Sequence, residues 1–140
     1  MNVRPEIAHE VMLWIEKAEH DLTAATHNLD LLHEGLADIV CFHCQQCVEK
    51  YLKVILVLHE IPFPRTHDLR VLLELACRHA AIDLVPEGVL PLNRYSIEGR
   101  YPGDWDPIPA EEASAAVEMA RQVRDKVRAL LPAEVLQGGT

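Results

Sequence analysis

Aromatic side chains are scarce in this sequence, at 5% of 140 residues, although 49% of the chain is apolar. The apolar content is therefore carried by Leu, Val and Ala, which suits packed helices better than a sheet. Basic charge is also short: 13 Lys and Arg stand against 22 Asp and Glu, a formal net charge of -9. Nonspecific binding to nucleic acid is driven by neutralising phosphates and releasing counterions, so this is not a chain that coats nucleic acid, though a local basic site is compatible with it. No run approaches the roughly 18 apolar residues of a membrane span, and the N-terminus has no apolar signal-peptide core. A soluble cytoplasmic protein without membrane contact is expected. In that compartment thiols stay reduced, so the 4 cysteines are not expected to form disulfides. A glycine-rich phosphate loop, a nucleophile elbow and a His-Glu-x-x-His helix are all missing, and no catalytic residue, metal ligand or cofactor is assigned.

What is present is helical periodicity. Ile15, Ala18, Leu22, Ala25, Leu29 and Leu32 recur at three or four residues, predicting a first helix from about Pro5 to about His33 that Gly35 breaks. A second helix is expected over Leu36 to His59, with two adjacent apolar rows (Val40, Cys44, Cys47, Tyr51 in one; Cys41, Val48, Leu52, Ile55 in the other). So wide a stripe implies burial from more than one side, and it suggests a homodimer. Ile61-Pro-Phe-Pro64 ends that helix. A third runs from Thr66 or Asp68 to about His79, and Pro86 to Ser96 reads as a shorter one. Gly99 to Pro109 is a proline-stiffened loop, and a last helix spans about Ala110 to Leu131, where Pro132 stops it. With no repeat or linker visible, the expectation is one all-α domain, an antiparallel bundle of four to five helices with its core at about residues 8–131 and a frayed tail over 132–140.

Four constellations carry chemistry. Three cysteines and His43 lie within seven residues, Cys41 to Cys47. Four ligands from one helix cannot enclose a tetrahedral ion, so the cysteines read as small packing residues. Gln45, Gln46, Glu49, Lys50 and Lys53 form a polar row in which Glu49 and Lys53 have the favourable i,i+4 order; the row is either a groove wall or a solvated face. Arg65-Thr-His-Asp68 opens a helix, where free N–H groups favour an anion and His67 is more naturally neutral; the plainer alternative is a capping turn. Arg100-Tyr-Pro-Gly-Asp-Trp105 puts a guanidinium and two aromatics on a stiff loop, equipment either for a base and phosphate or for anchoring an interface or the core.

In this order and spacing, Gln45-Gln46 with Glu49-Lys50, His67-Asp68-Leu69 and Arg100-Tyr101-Pro102 resemble the HEPN domain, the higher-eukaryote and prokaryote nucleotide-binding domain. The resemblance runs from about Ala8 to about Leu131. It implies an antiparallel helical bundle that commonly dimerises, and in many prokaryotic members a partnership with a minimal nucleotidyltransferase as a toxin–antitoxin pair. Nuclease members carry an arginine with a histidine a few residues on, presented by a late helix. Here only Arg4 and His9 meet that spacing, at the wrong end of the chain, so RNase activity is not carried over.

The leading expectation is a non-catalytic HEPN module, homodimeric, partnered with a minimal nucleotidyltransferase and holding nucleotide or RNA. Its candidate ligand-binding residues are Lys50, Lys53, Arg65, His67, Asp68, Arg100 and Tyr101. The alternatives are an RNase toxin with an atypical site built on Arg65, His67 and Arg100, and a metal-binding helical protein joining the cysteines to His20 or His27.

Overall fold

The computed structural model describes residues 2–96 and 106–137, which form six α-helices with no strand among them. α1 (Pro5–Leu29) starts on a proline whose fixed φ and missing N–H suit a first helical position, with Glu6 beside the positive end of the dipole. It ends at Leu29 instead of near His33. Leu32–Glu34 form a separate 3-10 turn, and Gly35, at φ 77°, supplies the left-handed residue that reverses the chain.

α2 (Ala37–Leu58) runs back antiparallel to α1, since Lys53 meets Trp14 near one end and Lys50 meets Asp21 further along. Every residue from Tyr51 to Leu58 is buried, because α1, α3 (Leu69–His79) and α5 (Ala110–Ala129) all pack on this helix. The wide apolar stripe is thus consumed inside one protomer. It gives no independent argument for a dimer.

The helix expected over Pro86 to Ser96 is split into α4 (Pro86–Val89) and a 3-10 segment, Leu90–Tyr95. Pro91 has no N–H to return to the carbonyl four residues back, so tighter geometry takes over there. A Cβ at Gly88 would stand 2.6 Å from Met119 Cε, the flexible end of an α5 side chain, which would have to move aside. α5 meets the core through small residues, Ala113, Ala116, Val117, Ala120 and Val123. The expected frayed tail is instead, over its described part, a short helix, α6 (Ala133–Gln137), because Val135 is fully buried and Glu134 accepts the Val3 N–H at 3.3 Å. Most of the Gly99 to Pro109 loop, including Arg100, Tyr101 and Trp105, lies outside the described residues.

Candidate anion-binding site

The connection between α2 and α3 is fixed at both ends. α2 closes with a Schellman turn: Glu60 takes φ 55°, its N–H bonds the Val57 carbonyl at 3.0 Å, and the Ile61 N–H reaches the Leu56 carbonyl at 2.8 Å. Arg4 pairs with Glu60 beneath it. At the other end Asp68 caps α3, accepting the Arg70 N–H at 2.9 Å. Asn93 clamps this cap from the 3-10 segment, donating to Asp68 Oδ1 and accepting the Leu69 N–H, each at 2.8 Å. His67 is held between these two anchors.

Below it sits Glu49, 2% exposed and completely occupied. Lys53 Nζ, one turn along α2, bonds Oε2 at 3.0 Å; His67 Nδ1 bonds Oε1 at 2.8 Å; Gln45 Nε2 donates to Oε1 at 3.3 Å. Gln45, itself fully buried, also donates to the His67 carbonyl oxygen at 3.1 Å, and Gln46 donates to Gln45 Oε1 at 2.6 Å. An ionised carboxylate only accepts, so the proton of this imidazole is on Nδ1. Nε2 makes no hydrogen bond among the described residues, and the His67 side chain is 52% exposed.

Outside the imidazole lies a cavity of about 530 Å³ lined by Trp14, Lys53, Phe63, Arg65, Thr66 and His67. Its size is that of a small-molecule pocket. Lys53 Nζ stands 5.2 Å from the Trp14 ring centroid, a cation–π contact that adds to its bond with Glu49. Arg65 is exposed and has no ion pair among the described residues. With Glu49 balancing Lys53, the Arg65 guanidinium is, among the described residues, the uncompensated charge at this rim.

Of the sequence candidates, Lys53, Arg65 and His67 converge on this cavity. Asp68 is engaged as a cap and lines, with His67, Arg70, Asn93 and Ser96, a smaller depression of about 290 Å³. Lys50 is directed elsewhere: it pairs with Asp21, which also takes His43 Nδ1 at 2.8 Å, in the seam between α1 and α2. Arg100 and Tyr101 lie outside the described residues. Trp14, Phe63 and the hub role of Glu49 were not foreseen. The i,i+4 spacing of Glu49 and Lys53 was the one available signal; nothing in the sequence links Trp14 to them.

A second polar cluster ties α1 to α5. Arg124 Nε bonds both oxygens of Glu19, at 2.9 and 3.1 Å, and the Tyr51 hydroxyl donates to Glu19 Oε2 at 2.6 Å. Burial pushes the Glu19 carboxyl up, but the Arg124 and Tyr51 hydrogen bonds outweigh it and hold it below the ordinary range. The phenol of Tyr51 is raised, first by burial and then by donating to that carboxylate. An open groove of about 590 Å³ runs beside this pair, with acids and bases mixed along it.

The cysteines behave as packing residues. Cys41, Cys44 and Cys47 are free thiols at 0% exposure, and burial pushes Cys41 up to about 11 and Cys44 to about 12, so they remain protonated at neutral pH. Among the described residues no group of three or more His, Cys, Asp and Glu side chains is arranged to hold a metal ion. The metal-binding alternative therefore lacks a ligand set there. Arg4 pairs with Glu6 and Glu60, and His9 is exposed on α1.

The sequence matches the model of the HEPN domain family over residues 11–130. In structure it is similar to an archaeal HEPN homologue, with a TM-score of 0.63 and 25% identity over 85% of this chain and 95% of that one. A protein from Thermus thermophilus is also similar, with a TM-score of 0.66 and 28% identity over 86% of this chain and 98% of that one. No curated protein gives a significant match.

Proposed function

Because this chain belongs to the HEPN domain family, we propose that it is a binding module whose cavity at Trp14, Lys53, Phe63, Arg65 and His67 receives a nucleotide or a segment of RNA. The observation that carries this reading is the pairing of one guanidinium, without an ion pair among the described residues, and one half-exposed imidazole with two aromatic rings in a single cavity. Guanidinium and imidazole suit a phosphate; aromatic faces suit a base. The overall charge of -9 confines binding to such a local site, because the rest of the surface repels nucleic acid.

The module acts as a homodimer and partners a minimal nucleotidyltransferase in a toxin–antitoxin-type pair. Support for both statements is the family resemblance. The test is calorimetry of the purified chain with ribonucleotides and a short single-stranded RNA, together with affinity capture of a nucleotidyltransferase encoded beside it. Binding that Arg65→Ala weakens by about tenfold supports the module. Titrations with no heat at millimolar ligand, and no partner recovered, remove it.

A second reading, an RNase with an atypical site, is favoured by the Glu49 and His67 pair. A carboxylate-oriented imidazole beside a cation is equipment for acid–base cleavage. RNA hydrolysis in the presence of a chelator, abolished by His67→Ala, would establish it; intact RNA after prolonged incubation rejects it.

A further inference from the structure

Resting on the binding reading above, we infer that the cavity selects a nucleoside phosphomonoester and binds it with uptake of a proton at His67 Nε2. The argument begins with Glu49. Its carboxylate is filled by Lys53, His67 Nδ1 and Gln45, so the imidazole is pinned in one orientation and one tautomer. In the neutral ring Nε2 is an acceptor, and a phosphate oxygen is an acceptor too. The two repel until Nε2 gains a proton. Once protonated, the ring donates to Glu49 through Nδ1 and to the phosphate through Nε2, and both bonds are charge-assisted.

The surrounding charges agree with this exchange. Among the described residues, the ionisable groups around His67 are Glu49 and Lys53 on α2 and Arg65, Asp68 and Arg70 on the connection and the start of α3; the α1 residue in the cavity, Trp14, is uncharged, as are Asn93 and Ser96 of the 3-10 region. Glu49 is neutralised by Lys53, and Asp68 is engaged by Asn93 and the α3 N-terminus. Arg65 is the fixed cation on the cavity side, so an arriving dianion meets one permanent positive charge and one that its own arrival induces. A terminal phosphomonoester carries about −1.5 to −2 at neutral pH, whereas an internal phosphodiester carries one charge. The site's capacity of two positive charges therefore fits the former better. Glu49 is a positioning residue in this scheme: it fixes which nitrogen is available.

The experiment titrates the full chain with adenosine 5′-monophosphate, adenosine and a short RNA lacking terminal phosphates, from pH 6 to pH 8, in buffers of different ionisation enthalpy so that proton uptake is read directly. His67→Asn keeps a donor where Nδ1 lies but has no second nitrogen to protonate, and Arg65→Gln removes an exposed side chain without an ion pair among the described residues; melting curves confirm that both variants fold. The nucleotide's own phosphate titrates near pH ~6, and that contribution is common to all proteins compared. The expected result is preference for the monophosphate over adenosine by about tenfold or more, with wild type taking up more protons than His67→Asn and tightening more at pH 6. Arg65→Gln should lose about tenfold for the monophosphate and little for adenosine. Equal proton uptake in wild type and His67→Asn overturns the inference, as does an unchanged monophosphate affinity in Arg65→Gln. RNA binding without monophosphate binding also overturns it while leaving the proposed module intact; absence of binding to all three ligands removes the module reading itself.

Discussion

Two carboxylates, Glu19 and Glu49, organise this molecule in opposite ways. Glu19 is on α1, and its partners, Arg124 and Tyr51, come from the middle of α5 and α2. That cluster joins three helices, α1, α2 and α5. Glu49 has a comparable number of partners, but one of them is a half-exposed histidine on a connection, and that histidine faces a cavity. The difference lies in the free end. A hub whose partners are helix residues stabilises the bundle even where, as here, it borders an open groove, whereas a hub that holds one ring nitrogen of a half-exposed histidine on a connection presents a functional group from a rigid base.

The comparison is broken most severely by Glu49→Ala. It strands Lys53, whose side chain is 9% exposed, without its counter-charge. A loss of about 3–5 kcal/mol is expected in chemical denaturation, and Glu49→Gln, which keeps the volume and an acceptor, should lose less. If the alanine variant is as stable as wild type, Glu49 is not a hub.

Tyr51→Phe should cost about 1 kcal/mol, the usual size of one hydrogen bond, since the ring remains packed and Glu19 keeps Arg124. A loss several times larger would show that the phenol, not the ion pair, orders this cluster.

The pH dependence of stability sharpens the contrast further. Glu19 is depressed in the folded state relative to its ordinary value of 4.5. Its contribution is therefore complete above that value and is lost as pH falls through the lower, folded one. Acid titration of wild type and Glu19→Gln should show the two melting temperatures converging at low pH, with wild type the more stable at neutral pH. A constant difference across the whole range contradicts the assignment.

The smallest stability effect is expected at the cavity rim. Arg65→Ala should change stability by less than about 0.5 kcal/mol, because the side chain is exposed and makes no ion pair among the described residues. A large loss of stability would make Arg65 a structural residue and weaken its place in the site.

How far the sequence reaches can be seen element by element. α2 and α3 end within a residue or two of their expected limits, because proline, an Asp cap and a dense apolar period act locally. The helix expected over Pro86 to Ser96 is split, because Pro91 inside it cannot donate to the carbonyl four residues back and the chain continues as a 3-10 segment. The tail was misjudged because Val135 is one apolar residue in a short polar stretch, and its burial depends on a neighbour far away in sequence.

The sequence by itself determined the four long helices, the family and the candidate status of Lys53, Arg65 and His67, because those follow from short-range periodicity and from motifs read in order. Tertiary structure decided which candidates act together. Lys50 and Lys53 are three positions apart on one helix, yet one is drawn to Asp21 across the α1 seam and the other to Glu49 beside His67. Three residues at about 100° each leave the two side chains about 60° apart on one face of the helix, so α2 alone does not separate their roles; which carboxylate each ammonium meets is fixed only when α1 and the α2–α3 connection pack against α2.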